Sequence, residues 1–299
     1  MKTNPLHKSP MKKFSTAVVV LLTLLLSPLS SAASNAKVTQ ISDNVYAIFL
    51  DYYHSLVVVG DQGVLITDPA NPARAEALQT EIAKLTDLPV TQVVLSHEHY
   101  DHVGGTEVFK DADIYAHQAT RPVFRIDTTG QAPTSVDQYV QDKTTLEVGQ
   151  TQVDLLHYGA ADGVGTLAIH LPEEKVVFTA DLYETNQLTD QRWLADSNFL
   201  GSRKLLNALT EFKPEFAITT HSAELDPEQL QLAADFYNDL YAAVEPALSK
   251  AMAEGFPAVM ALMATLPEQV KLDKYKSFQN YDHLPAHVER MIFSIFHGG

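Results

Sequence analysis

The sequence predicts an α/β fold in which strands and helices alternate through one large domain. Apolar runs of strand length recur from residue 45 onward, and helical spacing falls between some of them. A histidine-rich motif follows directly on one apolar strand, at the kind of edge where open α/β sheets build their sites.

The elements follow in chain order. Residues 45–50, 55–60 and 63–68 read as strands, with Asp61-Gln62-Gly63 as a hairpin turn between the last two. Leu56-Val57-Val58-Val59 is continuously apolar, as expected of a strand covered on both faces. Residues 72–85 have helical spacing, with Ala73, Ala77, Ile82 and Leu85 apolar and Pro72 near the start. An apolar strand over 90–95 runs into the motif. A short helix, a strand near 114–116 and a polar, threonine-rich loop through Pro133 come next. Strands are expected at 151–157, 166–171 and 175–179, with Pro172-Glu173-Glu174 turning between the last two. A helix near 202–212 leads to a strand over 216–220 that ends at His221, and residues 227–299 read as mainly helical. No internal repeat or low-complexity tract interrupts this order.

The N-terminus has a separate character. Lys2, Lys8, Lys12 and Lys13 precede an apolar run from Ala17 to Leu26, and Ser31-Ala32-Ala33 offers a small-x-small cleavage pattern. Residues 1–33 are therefore expected to be a secretory signal peptide, too short in its apolar stretch for the ~20 residues of a membrane span. A periplasmic or secreted location is expected, with residues 34–299 as the mature domain and a helical extension from about 227. The chain has no cysteine, which rules out disulfides and leaves histidine, aspartate and glutamate as metal ligands. Loss of the first 33 residues removes four lysines and no acid, taking the formal charge from −16 to −20. So acidic a surface repels nucleic acid and anionic lipid and points to a small-molecule substrate, with no stable membrane anchor expected. Oligomeric state leaves no signal.

The chemistry concentrates in Ser96-His97-Glu98-His99-Tyr100-Asp101-His102-Val103-Gly104-Gly105. In an extended segment His97 and His99 point the same way and can converge on one cation. Asp101 and His102 lie where the chain turns toward a helix and can face a second one. Three imidazoles and a carboxylate suit zinc, with manganese or iron as alternatives.

His-x-His-x-Asp-His after a β-strand resembles the signature of the metallo-β-lactamase superfamily. The resemblance extends over about residues 38–225 and takes in Asp68, the Gly-Gly after the motif, Asp181 in Thr179-Ala180-Asp181-Leu182, and His221. It implies an αββα sandwich holding two divalent ions at one edge. His97 and His99 would bind the first, Asp101, His102 and His221 the second, and Asp181 both. At the family's usual third histidine of the first site this chain has Asp162, ten residues before Pro172. Asp162 is the expected substitute ligand; His157 from the strand end, or a degraded first site, are the alternatives. A carboxylate there would make bound water less acidic or favour a harder ion. The implied activity is dinuclear hydrolysis of a small ester, lactone, β-lactam or related substrate by a metal-activated hydroxide. Asp101 or Asp181 would handle its proton and Tyr183 would donate to a developing oxyanion. The alternative is a metal-binding member without hydrolysis, in a redox or scavenging role. Asp51-Tyr52-Tyr53-His54 could overhang the metals, whereas His283 and His287, with Pro285 between them, are not counted as ligands.

Overall fold

The computed structural model describes Met1 and residues 35–298. The expected signal segment, Met1 apart, lies outside the described residues.

Two β-sheets face one another. The first orders its strands as they occur: β1 (Lys37–Gln40), β2 (Val45–Leu50), β3 (Tyr53–Val59), β4 (Val64–Thr67), β5 (Val90–Val94), β6 (Asp113–His117) and β7 (Gln138–Val140). Pairing is antiparallel through β4 and parallel from β4 to β7. The helix α1 (Pro72–Ile82) makes the crossover from β4 to β5, capped by the Asn71 side chain on the Arg74 N–H. Two single-turn helices, α2 (Tyr100–Val103) and α3 (Arg121–Phe124), follow β5 and β6. The second sheet takes β8 (Lys143–Val148), β9 (Thr151–Leu156), β10 (Ala168–Leu171), β11 (Val176–Thr179) and β12 (Phe216–Thr219) in the order β12-β11-β10-β9-β8. Its last pair, β11 and β12, is parallel, with Thr179 opposite Thr219.

Side-chain alternation explains the layering. On β3, Leu56 and Val58 face the second sheet while Val57 faces α1; on β11, Val176 and Phe178 face the first sheet while Val177 faces outward. The middle core joins Val45, Leu56, Leu65 and Val94 to Leu155, Ile169, Phe178 and Ile218. The outer face of the first sheet packs on Ala75, Leu78 and Ile82 of α1. The outer face of the second is covered by α4 (Phe199–Glu211), α5 (Pro227–Glu254) and α7 (Leu284–His297), with α6 (Phe256–Gln269) between the last two. The result is an αββα sandwich with added C-terminal helices.

Three strands depart from the expected pattern. β1 and β8 are edge strands with mostly exposed or half-buried residues, and β7 is three residues long, so none carries an apolar run. The 202–212 helix starts earlier, at Phe199, because the Asn198 side chain accepts the Leu200 and Gly201 N–H groups. Among the described residues no helix is long and apolar enough to cross a membrane.

Candidate metal centre

The polar convergence lies at the carboxyl ends of β4, β5, β11 and β12, just beyond the last paired residues. Asp68 follows β4, His97 follows β5, Asp181 follows β11 and His221 follows β12. The β9–β10 connection brings Asp162 to the same edge.

The side chains fall into two groups whose ligand atoms lie within 4.8 Å of one another: His97, His99, Asp162 and Asp181, and then Asp101, His102 and His221. In the first, Asp162 Oδ2 is 3.5 Å from His97 Nε2 and 3.3 Å from His99 Nδ1. In the second, Asp101 Oδ2 is 3.6 Å from His102 Nε2. Asp181 reaches across, with Oδ2 2.9 Å from His102 Nε2 and Oδ1 3.3 Å from His221 Nε2.

His97, His99 and His221 each turn one nitrogen to the cluster and anchor the other, whereas His102 Nδ1 faces Asp68 beyond hydrogen-bond distance. His97 Nδ1 lies 2.9 Å from Ser96 Oγ, His99 Nε2 3.0 Å from Asp196 Oδ2, and His102 Nδ1 3.7 Å from Asp68 Oδ2. His221 Nδ1 donates to the Tyr52 carbonyl at 2.9 Å. This is how metal-binding histidines are held in one tautomer. His97 Nε2, Asp162 Oδ2 and Asp181 Oδ1 are buried without a hydrogen-bond partner. Orphaned nitrogen and oxygen atoms facing one another are costly in a protein interior unless a cation joins them. The donor set therefore fits one or two divalent ions.

The electrostatics agree. Burial, with His99 and His102 alongside, holds His97 well below the usual histidine value. His102 is also buried, which opposes its charge, yet Asp181 and Asp68 lift it well above that value. Burial and the neighbouring Asp181 push Asp162 up to about 7.

The support beneath these ligands went unread in the sequence. Glu98, inside the motif, is buried and accepts the N–H groups of Val164 at 2.6 Å and Gly165 at 3.0 Å. It thereby ties the motif to the turn that carries Asp162. A side chain at Gly163 would put Cβ 2.8 Å from the Glu98 carboxylate, so any larger residue would have to push that carboxylate aside. Gly105 is constrained too: its φ is +84° and a Cβ would lie 2.6 Å from the Asn71 carbonyl oxygen. Arg74 of α1 is fully buried and donates to the carbonyls of Leu50, Tyr53 and Asp68. It locks the β2–β3 hairpin, where Asp51 and Tyr52 adopt φ of 49° and 70°. That hairpin covers the second group as expected. Tyr52 stacks on His221 at 4.7 Å between ring centroids, and the Tyr53 hydroxyl donates to Asp101 Oδ2 at 3.2 Å. The Tyr52 hydroxyl donates to Glu184 at 3.2 Å.

Two sequence expectations do not find support. Tyr183 packs in the apolar cluster with Leu182, Leu188, Phe236 and Tyr237, and its carbonyl accepts from Thr219 Oγ1 at 2.6 Å. An oxyanion donor must face the reacting atoms, and its ring sits in the core instead. His157 turns Nδ1 to the Thr166 carbonyl at 2.9 Å and stacks on His117 at 3.7 Å, outside both ligand groups. His283 stands just before α7 with Nδ1 accepting the Gln191 N–H at 3.3 Å, and His287 Nδ1 bonds the His283 carbonyl, so neither joins the cluster.

A family model described as the metallo-beta-lactamase superfamily matches residues 49–221. The alpha subunit of a 2,4-dinitroanisole O-demethylase from Nocardioides is 29% identical over 46% of this chain; the match spans 43% of that protein, less than half its length. A hydroxyacylglutathione hydrolase from Ruegeria pomeroyi is 26% identical over 72% of this chain and 79% of its own. Among solved structures, a metallo-beta-lactamase from Pontibacter korlensis superposes with a TM-score of 0.58 at 21% identity, covering 68% of this chain and 99% of that one.

Proposed function

Because this chain belongs to the metallo-beta-lactamase superfamily, we propose that it is an exported dinuclear metal-dependent hydrolase of small, uncharged esters or lactones. The observation that carries this reading is the meeting of seven side chains from distant segments in two ligand groups shared through Asp181. His97, His99 and Asp162 would hold one ion, Asp101, His102 and His221 the other, and Asp181 both; zinc is the proposed metal, with manganese or iron as substitutes. Such ions supply Lewis acidity toward a carbonyl oxygen and make water more acidic.

The chain's own residues supply the rest. Asp101 stands at the open side of the centre, its side chain 58% exposed, where it can accept a proton from incoming water. The Tyr53 hydroxyl fixes one carboxylate oxygen and leaves the other for that task. Tyr52, 56% exposed and stacked on His221, offers a flat apolar wall to the substrate.

The substrate class follows from charge. Asp196 lies 3.0 Å from His99 Nε2, and Glu184 stands at the rim on the Tyr52 hydroxyl. Arg74, the cation beneath the centre, is buried and committed to backbone carbonyls. An anionic group on the substrate would meet carboxylates, which favours uncharged or cationic molecules.

The test is metal analysis of the mature protein, its N-terminus sequenced, followed by a panel of neutral, cationic and anionic esters, lactones and a β-lactam. Two ions per chain and turnover of neutral esters are expected, with a new N-terminus near residue 34. 2,4-Dinitroanisole belongs in the panel because of the Nocardioides relative. A chain that stays metal-free under zinc, manganese and iron would overturn the reading. Asp162 in the place of a histidine is the one feature favouring a second reading, a metal-binding protein without hydrolysis; it predicts bound metal with no turnover anywhere in the panel.

A further inference from the structure

The C-terminal helices lie outside residues 49–221, the span shared with the family. One of them nevertheless returns to the metal centre. Arg290, on α7, donates its Nε–H to the Ser197 carbonyl. One turn on, Ser294 Oγ accepts the Phe199 N–H at 2.9 Å, and Asn198 Nδ2 donates to the Gly298 carbonyl at 2.8 Å. The Asn198 N–H also bonds the Ala161 carbonyl at 2.6 Å. The turn 196–198 is thus held between α7 and the segment that carries Asp162.

Two side chains of that turn reach ligands of the same group. Asp196 Oδ2 lies 3.0 Å from His99 Nε2, and Ser197 Oγ donates to Asp162 Oδ1 at 3.1 Å. We infer that Asp196 and Ser197, braced by Arg290 of α7, are positioning residues for the first metal site. The inference rests on the reading of His99 and Asp162 as ligands.

The physical reason is directional. A carboxylate at Nε2 keeps the proton on that nitrogen and leaves the Nδ1 lone pair for the cation, also making the imidazole a stronger donor. A hydroxyl on Oδ1 of Asp162 leaves Oδ2, the atom nearest His97 and His99, as the ligating oxygen. The second group takes nothing from this turn: His102 leans on Asp68 and His221 on the Tyr52 carbonyl. Damage at 196, 197 or 290 should therefore weaken one site and spare the other.

The experiment uses the full mature chain carrying Asp196→Asn, Asp196→Glu or Arg290→Met. Zinc affinity of each site is read by chelator competition, and cobalt titration follows the visible absorption as the sites fill in turn. Asp196→Asn and Arg290→Met are expected to weaken the first site about 10–100-fold, the usual range for such supports. The second site should stay within about threefold, with Asp196→Glu recovering part of the loss and the cobalt spectrum changing for one site alone. Asp196 has a side chain 62% exposed, so its variants keep the test decisive if Arg290→Met does not fold. Equal weakening of both sites, or no change in a chain that still binds two ions, overturns the inference. A wild-type chain that binds no ion overturns the metal-centre reading itself, and this inference with it.

Discussion

Asp162 occupies a buried position where burial and Asp181 already oppose its charge. On the proposed reading a cation resolves that conflict, and removing the carboxylate removes a ligand. Asp162→Ala should lower metal content from two ions to one, measured by elemental analysis; unchanged occupancy would end its role. Tyr53→Phe should leave metal content intact while lowering kcat about 3–10-fold, the scale of one lost hydrogen bond to a partly exposed carboxylate. His287 supplies a pH dependence away from the site. Burial pushes it down to about 4, while its Nδ1–H bonds the His283 carbonyl. An unfolded histidine titrates near ~6.5, so between that pH and about 4 the unfolded chain binds a proton the folded chain refuses. Its contribution is complete above that window and falls as pH drops through it, by up to about 3 kcal/mol. Urea midpoints at both ends of the window should separate less in His287→Gln than in wild type. Single residues also show where sequence reading ends. The motif at 97–102, Asp181 and His221 were legible because each follows an apolar strand. Glu98, Asp196 and Ser197 were not, because their partners lie about 35–100 residues away and only the fold brings them together.

At the scale of elements, α1 does more than cover a sheet. Its Arg74 gathers the β2–β3 hairpin and the residue after β4 with hydrogen bonds to Leu50, Tyr53 and Asp68. Arg74→Ala would take this donor from the Leu50 and Tyr53 carbonyls, leave Ser55 Oγ alone on the Asp68 carbonyl and empty a buried space, with an expected loss of about 3–5 kcal/mol. Denaturant melts should show it, and the Tyr52–Tyr53 wall should become susceptible to proteolysis. Central strands announced themselves through continuous apolar runs such as 56–59, because both their faces are covered. The edge strands β1, β7 and β8 had no such signature, since an edge can be polar and still complete a sheet. The C-terminal helices were legible as helices, but nothing in their spacing said that Arg290 would reach Ser197.

At the scale of the molecule, the acidic balance governs encounter. With a formal charge of −16 on the whole chain, long-range attraction should favour a cationic ester over an anionic one of equal size. Raising ionic strength from ~0.02 to ~0.5 M should lower kcat/KM for the cationic ester, raise it for the anionic one and leave a neutral ester nearly unchanged. Salt-independent rates across the three would show that the surface plays no part in capture.

Thr179 and Thr219 stand opposite each other in the parallel β11–β12 pair, and Asp181 and His221 each follow two residues later. The parallel ladder thereby delivers the Asp181 carboxylate and the His221 imidazole to one end of neighbouring strands, each two residues past the last backbone-bonded pair. Deleting one residue from β12 would slide that ladder and swing the imidazole to the opposite side of the sheet. Lengthening the 183–190 loop would leave the ladder as it is. The sheet thus fixes where the chain reaches the centre, while the loops that hold the rings and carboxylates set how they face one another.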